Sequence, residues 1–134
     1  MITIEQLKEI QQRADKLKQY LAIDEKRVQL EEEELRTQDP GFWEDAKAAE
    51  AQMRKVKGIK AWIEGYEGVR AATEELQLAF DYCKEELVTE DEVDTAYAHA
   101  VKELEALEMK NMLSNEEDQM PAVLKIVSGA GGTE

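Results

Sequence analysis

Residues 3–36 read TIEQLKEIQQRADKLKQYLAIDEKRVQLEEEELR, and the spacing of their apolar side chains decides the fold. Leu7, Ala14, Leu21, Val28 and Leu35 recur every seven residues, and Ile10, Leu17, Asp24 and Glu31 form a second such series between them. Steps of three and four residues place both series on one face of an α-helix. Thr3 and Gln6 have the spacing of a capping box, so the pattern predicts one helix over 4–36. The first series is apolar throughout. The second begins apolar and turns acidic. A stripe that is dry at its start and half-wet at its end suits an antiparallel helix in a bundle better than a long parallel zipper.

Outward from that helix, Thr37-Gln38-Asp39-Pro40-Gly41 predicts a stop. The residue before a proline avoids helical angles, and Asp39 is placed to cap a new helix with Pro40 at its first position. Phe42 and Trp43 follow at once, and their expected role is to plug the end of a helical hairpin. A second helix is predicted over about 43–87. Its stripe is Ala46, Ala49, Met53, Val56, Lys60, Ile63, Tyr66, Val69, Thr73, Leu76, Phe80, Cys83 and Leu87. Gly58, Gly65 and Gly68 interrupt it, each at a cost of about 1 kcal/mol relative to Ala. They predict either a bend over 58–68 or the close approach of another backbone. Thr89 and Glu92 form a second capping box, opening a helix over 90–113 on Val93, Ala96 or Tyr97, Ala100, Leu104, Leu107, and Met112 or Leu113. That helix is expected to stop at Ser114-Asn115, before the acidic run Glu116-Glu117-Asp118.

After Pro121 the texture changes. Residues 122–127, AVLKIV, are short, β-branched and without helical spacing, and so predict one strand. Its partner strands are missing, and a Gly-rich tail, Ser128 to Glu134, follows. The expected fold class is therefore all-α: an elongated antiparallel helical bundle or coiled coil of three long helices, then one short β-strand and a Gly-rich tail. The expected division is a helical domain over 1–118 and the start of a truncated α/β domain over 119–134, so the chain reads as a fragment. Short turns make neighbouring helices antiparallel. Helix one should cover the first part of helix two and helix three its last part, with the three-way overlap close to Gly58–Gly68.

The 134 residues carry 17 Lys plus Arg against 31 Asp plus Glu, a net charge of −14, with one Cys and two Pro. Charge is unevenly placed: −3 over 1–39, +1 over 40–70 and −9 over 84–118. Phosphate binding needs clustered cations, and the cluster present is Arg54, Lys55, Lys57 and Lys60, which reads as a solvated helix face. The acidic balance favours a basic protein as partner over RNA. No apolar run is long enough to span a bilayer, no signal stretch opens the chain, and a single Cys fits a reducing, cytoplasmic setting.

Reactive chemistry finds little footing. His99 has no second His or Cys nearby, whereas zinc sites want three or four N/S ligands. Cys83 lies on the apolar stripe in acidic surroundings and reads as a buried, inert thiol. Glu31 to Glu34 and the carboxylates of the third helix lack the cleft of an acid–base pair and the alternating ligands of a calcium loop. Gly129-Ala130-Gly131-Gly132-Thr133 lacks the Gly-Lys-Ser/Thr ending of a phosphate loop. No catalytic, cofactor-binding or metal residue is assigned, no cofactor is expected, and neither a small-molecule substrate nor a membrane partner is expected.

Two stretches carry a resemblance. Gln38-Asp39-Pro40-Gly41-Phe42-Trp43-Glu44-Asp45, between two long helices, resembles the hairpin turn in the amino-terminal domain of bacterial peptide chain release factor 2. Leu124-Lys125-Ile126-Val127-Ser128-Gly129-Ala130-Gly131-Gly132-Thr133-Glu134 is similar to the segment where that family's helical domain gives way to its decoding and catalytic body. The Phe-Trp turn and the Thr of the junction favour the second type of factor over the first. The resemblance implies a cytoplasmic translation termination factor whose full-length form recognises UGA and UAA and triggers peptidyl-tRNA hydrolysis. It also implies docking at the stalk base of the large ribosomal subunit and an association with the release factor 3 GTPase. The family's Ser-Pro-Phe decoding tripeptide and Gly-Gly-Gln catalytic tripeptide are not in this chain, where Gly131-Gly132 is followed by Thr133. RNA contact would then fall to the missing domains, and Glu90, Asp91, Glu92 and Asp94 of the third helix are the expected protein-contact face. The competing reading is a helical coiled-coil adaptor unrelated to translation, which the helices alone would equally support.

Overall fold

The structure, a computed structural model, describes the backbone of residues 1–119 and the side chains of residues 1–114. In chain order it contains α1 (Ile4–Tyr20), α2 (Ile23–Arg36), a single 3-10 turn (Phe42–Glu44), α3 (Ala46–Lys84) and α4 (Glu90–Gln119). The described residues are thus all-helical. The strand expected over 122–127 and the Gly-rich tail lie outside them.

Both capping boxes form. Gln6 N–H donates to Thr3 Oγ1 at 3.1 Å while Thr3 N–H donates to Gln6 Oε1 at 2.8 Å. Thr89 and Glu92 repeat the exchange at 3.2 and 3.3 Å. Each pair satisfies two amides that a helix start leaves without partners.

The single helix expected over 4–36 is two helices. Ala22 sits between them in the left-handed region, φ 51° and ψ 52°, a conformation that costs a side chain bearing Cβ about 1–2 kcal/mol. Its N–H donates to Gln19 O at 3.1 Å, closing α1, and its carbonyl accepts from Lys26 N–H at 2.9 Å, opening α2. The Lys26 ammonium donates to the freed Leu21 carbonyl. The break changes the buried face. Leu7, Ile10, Ala14, Leu17 and Leu21 are buried as the heptads require, but Ile23 and Glu33 are buried next, and Val28 and Leu35 face solvent. A continuous helix would have pressed Asp24 and Glu31 into the packed face. The break puts Ile23 there instead, and burying an apolar side chain rather than an unpaired carboxylate is the favoured outcome.

The start of the second long helix is also displaced. Asp39 does not cap it. Its carbonyl accepts from Phe42 N–H at 2.9 Å and its carboxylate from Gly41 N–H at 3.0 Å, which is a local turn. Asp45 is the cap, its Oδ1 accepting from Ala48 N–H at 3.1 Å. From there α3 runs unbroken for 39 residues, about 58 Å at 1.5 Å per residue, so the glycines do not divide it. It ends in a Schellman arrangement: Leu87 N–H reaches Tyr82 O at 2.8 Å and Glu86 N–H reaches Cys83 O at 3.0 Å. Glu86, φ 63°, occupies the left-handed position usually given to Gly. At the other end of the chain, α4 passes the predicted stop at Ser114-Asn115 and continues to Gln119; Glu is a good helix former, and an acidic run does not itself end a helix.

Cross-helix pairs fix the directions. Gln11 on Gln77 with Lys18 over Tyr66, and Arg27 on Glu67 with Glu33 on Gln52, show α1 and α2 both running antiparallel to α3. The amino terminus beside Asp94 and Arg13 on Glu108 show α1 running parallel to α4. α1, α4 and the second half of α3 share one core, including Ile10, Tyr66, Val69, Leu76, Phe80, Val93, Ala100 and Leu104. The first half of α3, with Ala49, Val56 and Ile59 buried, pairs with α2 as a two-helix arm. The three-way overlap therefore lies at Tyr66–Phe80, past Gly58. The segment over the first part of α3 is α2, because α1 reaches back to the second part.

At two of the three glycines the near neighbour is a side-chain tip of α4, not another backbone. A Cβ on Gly65 would stand 3.0 Å from Leu107 Cδ1, and one on Gly68 3.0 Å from Glu103 Oε1, both on α4; one on Gly58 would meet nothing within 4 Å. Gly58→Ala is therefore expected to stabilise the protein by about 1 kcal/mol, the helix-propensity difference. Gly65→Val should destabilise it by about 1–3 kcal/mol through overpacking. Paired thermal melts check the opposite signs.

Candidate functional site

The arm is the part of the molecule whose side chains are least absorbed by packing. At its tip Phe42 and Trp43 meet edge to face, ring centroids 4.7 Å apart. They do not plug the hairpin: neither is buried, and Trp43 is 63% exposed. The 3-10 turn is built from Phe42, Trp43 and Glu44 themselves, and α3 starts only after them.

Beside the buried Ala49, Val56 and Ile59, the arm's inner seam holds one buried carboxylate. Glu33 is buried; its Oε1 accepts from Gln52 Nε2 at 2.7 Å and its Oε2 lies 3.1 Å from Lys55 Nζ, with Arg36 Nε at 3.6 Å from Oε1. The Gln52 hydrogen bond, then Lys55, holds its carboxyl below the ordinary glutamate range, against the opposing effect of desolvation.

The joint between arm and bundle is cationic and aromatic. Trp62 on α3 has Lys26 of α2 at 5.9 Å and Lys110 of α4 at 4.4 Å from its ring centre, both within cation–π range. Arg27 of α2 pairs with Glu67 of α3, which also accepts from Arg70 Nε at 2.7 Å. The Arg70 hydrogen bond is the first cause of a lowered Glu67 carboxyl.

The basic cluster is partly neutralised. Arg54 pairs with Glu50 at 2.6 Å, Lys55 with Glu33, and Lys60 with Glu34 at 3.6 Å, while Lys57 makes no ion pair among the described residues. Of the acidic run, Glu33 and Glu34 face α3, and Glu31 and Glu32 are exposed, with no ion-pair partner among the described residues. At the far end of the molecule, Glu90 and Asp91 are exposed, Glu92 is engaged in its capping box, and Asp94 meets the amino terminus at 3.4 Å.

His99 is exposed and alone on α4. Cys83 is a free thiol at the edge of the core, half-buried beside Met1 Sδ at 3.5 Å. Among the described residues no three His, Cys, Asp or Glu converge as a metal site, and no helix is long and apolar enough to cross a membrane. The hollows are grooves along helix faces, such as one of about 610 Å³ beside Tyr97, Val101 and Met109. The exposed helix faces differ in sign, acidic on α2 and the first turn of α4 and partly neutralised basic on the first half of α3. The exposed Trp43 had a sequence signal, the Phe-Trp pair beside the turn. The rotated α2 face had one too, in the acidic second series.

Comparison with known proteins places this arrangement. A family model described as the PCRF domain matches residues 23–134. The chain is 33% identical over 135 residues to Peptide chain release factor 2 of Pseudoalteromonas translucida, covering 98% of this chain and 36% of that protein. It is 31% identical over 134 residues to Peptide chain release factor 2 of Listeria innocua (94% and 36%) and 30% identical over 133 residues to that of Nitratiruptor sp. (97% and 36%). The chain spans 36% of the length of these curated relatives. With the family model matching α2, α3, α4 and the segment beyond, and with relatives of 30–33% identity over nearly the whole chain, the chain belongs to the PCRF domain family, on the side of its peptide chain release factor 2 members.

Proposed function

We propose that this chain is the ribosome-docking helical part of a codon-specific translation termination factor. The observation that carries this reading is the PCRF-domain match over residues 23–134 together with relatives named as release factors. On this reading, decoding of UGA and UAA and the chemistry of peptidyl-tRNA hydrolysis belong to the body that would follow a helical unit over 1–118, with an α/β domain opening at 119. Hydrolysis of the ester requires a group that orients water and stabilises developing charge beside it, and the proposed part of this chain is positioning. The stalk base of the large subunit is the proposed site, with the release factor 3 GTPase as a second partner. A net charge of −14 supports contact with a basic ribosomal protein.

The exposed first turn of α4 is a proposed contact for that protein. The expected result is that the isolated chain releases no labelled formyl-methionine from termination complexes at any stop codon, yet cosediments with ribosomes. Binding should weaken with salt, since exposed charges are screened over about 10 Å at 0.1 M. Glu90→Lys with Asp91→Lys should reduce it while sparing the capping carboxylate of Glu92. Codon-dependent release by this chain alone would overturn the reading, as would a failure to bind ribosomes at low salt.

A further inference from the structure

We infer that the arm itself is a second protein-docking surface, formed by the outer face of α2 and the tip, and that it fits a basic protein surface containing an apolar cleft. The inference rests on the docking reading above and adds a different face to it. Break and rotation at Ala22 turn Val28 and Leu35 outward, 61% and 58% exposed. They are seven residues apart on one helix face. Glu31 and Glu32 stand between them and Glu25 lies one turn before; none of the three carboxylates has an ion-pair partner among the described residues. Of the three cations of α2, Lys26 turns to the Leu21 carbonyl and the Trp62 ring and Arg27 to Glu67, while Arg36 at the end of the helix stays exposed with Glu33 at 3.6 Å, so the face carries those three carboxylates against one cation that is already paired.

The turn that follows α2 then presents Trp43, and presents it rigidly. The Asp39 turn precedes it, Phe42 packs edge-on against it, and the Asp45 cap fixes the chain after it. A large aromatic held in one place loses little freedom on binding, which is why Trp is enriched among residues that dominate interfaces. Charge selects the occupant. A second copy of this chain would bring Glu31 and Glu32 against their own kind, and like charges opposed across an interface are disfavoured. Phosphates would meet the same repulsion on this face. A basic protein surface meets neither.

The test uses the whole chain with purified bacterial large ribosomal subunits and, separately, their deproteinised RNA. Trp43→Ala should weaken binding to the subunits by about tenfold or more with an unchanged melting temperature, because the ring is exposed in the free protein. Glu31→Lys with Glu32→Lys should weaken it and flatten its salt dependence. Lys47→Glu with Lys57→Glu, on the opposite face of the arm, should leave it intact, and bare RNA should not bind. Subunit binding that survives both Trp43→Ala and the Glu31/Glu32 reversal overturns this inference alone. Binding to bare RNA that is lost with Lys47→Glu and Lys57→Glu also overturns it, in favour of an RNA-facing arm. No binding by the unsubstituted chain overturns it along with the docking reading itself.

Discussion

Ile23→Ala is expected to destabilise the protein by about 2–5 kcal/mol, and Leu35→Ala by less than about 0.5 kcal/mol. Ile23 is 0% exposed and belongs to the shared core, whereas Leu35 lies on the outer face of α2. Removing three carbons from the first leaves a cavity that α2, anchored at its first residue, has little room to fill. Removing them from the second takes away surface already in contact with water. The pair decides between two chains of reasoning. If residues 4–36 formed one continuous heptad helix, Leu35 would be the core position and Ile23 would lie off the stripe, so the two costs would exchange places. Urea unfolding of both variants against the parent measures the difference. A loss of a few kcal/mol is a large share of the stability of a domain of this size, so Ile23→Ala should be partly unfolded at 37 °C.

The bundle end of the molecule was readable because its local signals and its packing agree. Thr3 with Gln6 and Thr89 with Glu92 cap where their spacing says, and Val93, Ala96, Ala100, Leu104 and Leu107 are buried as an uninterrupted helical stripe. The arm was harder for identifiable reasons. Leu21-Ala22-Ile23 contains neither Gly nor Pro, so nothing local announces a break. The cue was distributed, in the acidic turn of the second series, and it decides the structure only once α3 is present to bury either Ile23 or Asp24. The Gly58–Gly68 stretch admitted a bend or another backbone's approach, and what stands near Gly65 and Gly68 is instead side-chain tips of α4, Leu107 and Glu103. On α3 itself the predicted stripe drifts: Met53 and Lys60 fall outside it and Ile59 and Ala72 inside, because the first half of the helix packs on α2 and the second on α1 and α4. For the tip, propensity placed the aromatics at a helix start and packing logic placed them inside. A one-turn 3-10 segment, set by Asp39 before it and Asp45 after it, leaves Trp43 outside. The acidic first turn of α4, chosen from charge alone, is partly occupied within the fold, since Glu92 and Asp94 already hold Thr89 and the amino terminus.

The arm lacks the third helix that gives the bundle its core, so its seam depends more on Glu33, and acid should expose that dependence. The Gln52 hydrogen bond, Lys55 and Arg36 all favour the ionised carboxylate, which places its folded-state value below the ordinary value near 4.5. A carboxyl whose value is depressed on folding contributes stability that is fully present above the unfolded-state value and is lost as pH falls through the folded-state one. Between neutrality and about pH 5 the contribution is constant; below the ordinary glutamate range it disappears. Glu67, depressed by Arg70 and Arg27 at the joint, acts in the same direction, so the parent protein alone cannot separate the two. Glu33→Gln can. The variant keeps the shape and loses the charge, so it should be less stable than the parent at pH 7, and that gap should close as pH falls through the parent's depressed folded-state value and its carboxyl becomes neutral. Urea unfolding of the two proteins at a series of pH values measures the gap directly. Amide exchange at Ala49 and Val56, on the arm, should rise in Glu33→Gln relative to the parent at pH 7, while that of Leu104 in the shared core stays close to it. A gap that stayed constant down to pH 2 would mean that the Glu33 carboxylate contributes through its shape and hydrogen bonding to Gln52 and not through its charge.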